Sequence, residues 1–136
     1  MFQMDHEICL IKSFVIKERQ QRYINLIATK RGRIKFRSYI AHFNDLDNQF
    51  CFPLIKNLVN PNGLYELLNL NGAPETCYVI SEHDKYDQNE LHLKDAINEL
   101  FLSGLAYFIS CIPGKLAYYE GEDLNSRYTL QKKAHF

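Results

Sequence analysis

Between Leu100 and Tyr119 the chain carries a single charged side chain, Lys115. A stretch this apolar and about twenty residues long belongs either in a membrane or inside a folded domain. Pro113-Gly114-Lys115 interrupts it, and Ser103-Gly104 and Ser110 break it further. It therefore reads as a helix end followed by a buried β-hairpin, with strands at Leu105 to Cys111 and Leu116 to Glu120 about a tight turn at Pro113-Gly114. No membrane association is expected from this pattern.

The neighbouring sequence extends the reading. Thr76 to Ser81 is a buried-strand pattern, followed by an acidic loop from Glu82 to Glu90. A helix from about Leu93 to Ser103 then buries Ala96, Ile97, Leu100 and Phe101 and stops at Gly104. Arg127 to Gln131 supplies a further strand, and Phe50-Cys51-Phe52 a short edge strand ended by Pro53. Strand–helix–strand predicts a parallel β-α-β crossover, and the later strands predict an antiparallel meander.

The N-terminal third is helical. Ile8, Ile11 and Val15 recur at helical spacing behind an Asp5 cap, and the pattern runs on through Tyr23, Ile24 and Ile27. A further helix carries Phe36, Tyr39, Ile40 and Phe43 on one face. Leu64, Leu67 and Leu68 mark a short helix between Asn60-Pro61-Asn62-Gly63 and Asn71-Gly72. The expected fold class is α+β: N-terminal helices packed on a small mixed sheet of about four strands, as one domain over residues 1–136.

The formal net charge is zero, but it is divided along the chain. Residues 1–44 form a basic helical segment with nine Lys/Arg against three Asp/Glu; residues 45–127 carry five against thirteen. Such a division marks either a polyanion-binding face or two parts of one domain that attract each other, and the second reading is favoured. The run Lys30, Arg31, Arg33, Lys35 and Arg37 concentrates the positive charge beside a break at Gly32 that resembles a helix-turn-helix. Nucleic acid is the alternative partner if the run faces solvent on one side.

Four cysteines, Cys9, Cys51, Cys77 and Cys111, form no C-x-x-C pair and sit among apolar neighbours, as expected for free thiols in a reducing cytoplasm. No signal-peptide pattern precedes Ile8. Phosphate-loop, zinc-protease, nucleophile-elbow, dinucleotide and EF-hand patterns all fail at defining positions, so no cofactor is expected. Parallel strands would gather Ser81, Glu82, His83, Asp84 and Asp87 beside Ser110, Cys111 and Lys115 at one sheet edge. That edge is the candidate enzyme site, with Glu82 and His83 as acid/base groups and Cys111 as nucleophile. Glu82, His83, Asp84 and Asp87 are also the candidate metal ligands. The acidic group Glu120-Gly121-Glu122-Asp123 is expected at the opposite edge. Exposed strand tyrosines would serve base stacking or a dimer interface. The leading expectation is a non-catalytic binding or interaction domain, homodimeric and cytoplasmic.

Overall fold

The computed structural model describes residues 3–54, 60–123 and 125–132. Strands β1 (Cys51–Pro53), β2 (Thr76–Ser81), β3 (Asn89–His92), β4 (Tyr107–Ile112), β5 (Leu116–Glu120) and β6 (Arg127–Gln131) form one sheet in the order β1-β6-β5-β4-β2-β3. Every neighbouring pair is antiparallel. The mixed α+β class is as expected, but the sheet has six strands rather than about four.

Helices α1 (Gln3–Phe14), α2 (Lys17–Ile27) and α3 (Lys30–Ser38) cover one face, and α4 (Pro61–Leu70) and α5 (Leu93–Leu100) lie on the other. Leu10, Phe14, Tyr23, Phe36 and Phe43 meet Tyr78, Ile80, Phe108 and Tyr119 on the first face. Leu64, Leu68, Ile97 and Leu100 meet Val79, Tyr107, Ile109 and Tyr118 on the second. A sheet covered on both faces needs apolar residues at consecutive positions, which explains the uncharged run through β4 and β5. Tyr118 and Tyr119 point to opposite faces and are both buried, so neither is an exposed stacking platform.

The parallel pairing of the first two long strands is overturned. β2 and β4 are antiparallel, with Tyr78 opposite Ser110 and Ser81 opposite Tyr107. The residue that makes the difference is in the acidic loop. Its last two residues and the two that follow, Asn89–His92, form a strand that turns back along β2. Asp87 closes that turn by accepting from Ser81 N at 3.0 Å, and Gln88 takes a left-handed φ of 62°. The crossover through α5 therefore starts from β3, which runs parallel to β4 with β2 between them.

The N-terminal helix is likewise two. It breaks at Val15-Ile16, where Val15 makes an isolated bridge to Leu46 and Ile16 N donates to Asp45 O at 2.8 Å. α1 begins at Gln3, ahead of the expected Asp5 cap. The break between α2 and α3 falls at Ala28-Thr29, with Thr29 capping α3 through Gly32 N. Gly32 lies inside α3, where a Cβ would sit 2.2 Å from Leu26 O. Its role is close helix approach rather than a turn.

Candidate functional site

The antiparallel register dissolves the expected enzyme edge. Ser81 stands opposite Tyr107, and Tyr107 opposite Glu120. The end of β2 thus lies at the same sheet end as Glu120, while Ser110, Cys111 and Lys115 lie at the other. His83 and Cys111 are not neighbours, and the two acidic groups share an end instead of being separated.

The groups of the acidic loop are engaged in the fold. Glu82 Oε2 accepts from Ala106 N at 2.7 Å. Asp84 Oδ1 meets Arg37 Nη1 at 2.6 Å on the surface. Asp87 receives Arg33 Nε at 2.9 Å and Arg33 Nη2 at 3.0 Å, besides Ser81 N. His83 is exposed, and its Nδ1 accepts from Lys85 N at 3.2 Å. Among the described residues no group of three or more His, Cys, Asp and Glu is arranged to hold a metal ion.

Cys111 is buried, and burial pushes its thiol well above the ordinary range. Burial likewise raises the neighbouring Cys77 thiol to about 12. Protonated thiols of this kind are poor nucleophiles. Ser110 instead meets His6, whose Nδ1 lies 2.7 Å from Ser110 Oγ and whose ring stacks on Tyr78 with centroids 5.2 Å apart. His6, Thr76, Glu90 and Pro113 border a groove of about 220 Å³ there. Nothing in the sequence pointed to His6, which pairs with a residue 104 positions away.

The basic run divides by helical geometry. Arg33 and Arg37 turn inward. Arg33 forks onto Glu7 through Nη1 at 2.6 Å and Nη2 at 2.7 Å while also holding Asp87. Burial alone would lower the Arg33 guanidinium, but its bonds to Glu7 and Asp87 outweigh that and hold it above its ordinary range. Arg37 donates to Ser81 O at 3.1 Å and Glu82 O at 2.9 Å. These two arginines join the basic segment to the acidic one.

Lys30, Arg31 and Lys35 turn the other way and are exposed, around Ile34 at 69% exposure. Lys17, Arg19 and Arg22 are exposed on α2. None of these six cations enters an ion pair among the described residues. Glu18 is the one carboxylate within α2 and α3.

No protein-family model, curated protein or solved structure matches this chain. Its functional reading rests on its own geometry. Among the described residues no helix is long and apolar enough to cross a membrane.

Proposed function

We propose that the chain is a non-catalytic binding module that docks on the phosphate backbone of a nucleic acid through the outward face of α2 and α3. The observation that carries this reading is the division of the basic run. Arg33 and Arg37 satisfy the fold's own carboxylates, whereas Lys30, Arg31 and Lys35 have no acidic partner among the described residues. A short helix presenting cations on its solvent side suits phosphate contact, and the two-residue junction at Ala28-Thr29 sets it beside a second cationic helix. Four free cysteines fit work in a reducing compartment such as the cytoplasm.

Fluorescence anisotropy with a labelled duplex tests the reading. Affinity is expected to fall by at least tenfold between about 50 and about 200 mM salt. The variant Lys30→Glu/Arg31→Glu/Lys35→Glu is expected to lose binding while keeping its unfolding midpoint, because these side chains hold nothing in the fold. Equal affinity of variant and wild type would overturn the reading. Binding to anionic vesicles in place of the duplex would overturn it too.

A further inference from the structure

We propose that β3 is a self-pairing edge through which two copies of this chain join their sheets about a two-fold axis. Alternate backbone groups of β3 are already used by β2. Leu93 N donates to Glu75 O at 2.7 Å, which makes Glu75/Leu93 a hydrogen-bonded pair of the β2–β3 ladder. The register places Cys77 opposite Leu91 and Tyr78 opposite Glu90. Bonded and non-bonded pairs alternate along an antiparallel ladder, so Leu91 is spent on β2 while Glu90 and His92 direct their backbone groups outward. The β2–β4 ladder agrees. Glu82 N donates to Ala106 O, which assigns Tyr78 and Ile80 to β4 and leaves Cys77 and Val79 for β3.

The other sheet edge lacks a ladder donor at Pro53, whereas β3 keeps an N–H at every position. β1 is three residues long and ends in Pro53, which has no N–H. β3 carries no proline or lysine, the usual guards of an exposed edge.

One register satisfies both backbone and side chains. Placing Glu90 of each copy opposite His92 of the other brings the His92 N–H onto the Glu90 carbonyl twice. The Glu90 N–H then meets the His92 carbonyl, which also receives the first turn of α5. Glu90 and His92 are both exposed and share one face of the strand, so each carboxylate faces an imidazole across the axis. On the other face the half-buried Leu91 meets Leu91 of the second copy as a non-hydrogen-bonded pair, where strands approach most closely. The alternative register, Glu90 on Glu90, would oppose like charges and is disfavoured. Glu75 and Lys94 share a cavity of about 280 Å³ with His92, and their opposite charges offset one another there.

An interface of this length is small and its association concentration-dependent. Sedimentation equilibrium is the test. The weight-average mass of the wild type is expected to climb from the monomer value toward twice that value between about 10 µM and about 1 mM protein. Glu90→Pro removes an outward N–H without touching a β2 bond and is expected to stay monomeric. Glu90→Lys is expected to be monomeric as well, and Glu90→Lys/His92→Glu to recover the wild-type mass. A circular dichroism spectrum like that of the wild type accompanies each variant, and the charge swap serves if the proline variant fails to fold. A wild type that remains monomeric at about 1 mM overturns the proposal. So does a folded Glu90→Lys variant that dimerises as before, or a charge swap that does not restore association.

Discussion

Arg33 grips Glu7 with both terminal nitrogens, at 2.6 and 2.7 Å, and Glu7 is 2% exposed. Tyr78 OH adds a third donor to the same carboxylate at 2.6 Å. The pair ties α1 to α3 and, through Asp87, to the β2–β3 turn. Glu7→Ala would leave the mostly buried guanidinium to Asp87 alone and the Tyr78 hydroxyl without its acceptor, and breaking one side of such a buried pair costs about 3–5 kcal/mol. Urea unfolding of Glu7→Ala is the measurement, and a loss under about 1 kcal/mol would show the pair to be idle. Replacing both partners with apolar residues, as in Glu7→Leu/Arg33→Met, is expected to recover little of the loss, because it takes Arg33 from the buried Asp87 side chain and the acceptor from the buried Tyr78 hydroxyl.

Gly32 reverses a general rule. Gly→Ala inside a helix ordinarily stabilises by about 1 kcal/mol. Here the added methyl would stand 2.2 Å from the Leu26 carbonyl oxygen and 2.8 Å from Thr29 Oγ1. A backbone atom cannot swing aside, so Gly32→Ala is expected to destabilise by about 1–3 kcal/mol, the usual range for overpacking. Thermal unfolding reads the sign directly, and a raised midpoint would refute the close approach of α2 and α3.

Much of this architecture was legible from periodicity, and what was missed has a common physical cause. β2, β4 and β5 announced themselves because consecutive apolar residues need cover on both faces. β3 did not, because Asn89-Glu90-Leu91-His92 buries little and reads as the tail of an acidic loop. That one omission inverted the β2–β4 direction and moved Cys111 to the wrong end of the sheet relative to His83. The attraction between basic and acidic segments was foreseen as a sum of charges. Its division into inward Arg33 and Arg37 and outward Lys30, Arg31 and Lys35 required the helix phase. The His6–Ser110 contact left no trace, since neither residue sits in a motif and the fold alone brings them together.

Leu102 is strained. It adopts φ 58° just beyond α5, a region that costs an L-residue about 1–2 kcal/mol, and its side chain is 50% exposed. Its N–H is held by Glu120 Oε2 at 3.1 Å. Leu102→Asn keeps that bond and suits the left-handed backbone, at the loss of some apolar contact. The variant is expected to gain about 0.5–1 kcal/mol in denaturant unfolding. A loss of stability would mean that the side chain contributes more packing than its exposure implies.

Glu120 gives the fold a pH signature. Its carboxylate is 4% exposed and accepts from Tyr107 OH at 2.9 Å, Tyr118 OH at 3.0 Å and Leu102 N. Burial raises its pKa, and the bonds from Tyr107, Tyr118 and Leu102 and the charge of Arg127 only partly oppose that. The folded state therefore holds the Glu120 proton more tightly than the unfolded chain does. The stabilisation this supplies is complete below the unfolded carboxylate pKa of about 4.3 and is lost as pH rises through the higher folded value. Glu120→Gln cannot ionise, so its unfolding free energy, followed from about pH 4 to about pH 7, is expected to lack this decline. The amide would either set its NH2 against the Leu102 N–H or force the Tyr107 and Tyr118 hydroxyls to accept instead of donate, so the variant starts from a lower stability at acid pH. Wild type and Glu120→Gln are expected to converge as pH rises. Parallel profiles would mean that Glu120 keeps an ordinary carboxylate affinity for its proton despite its burial.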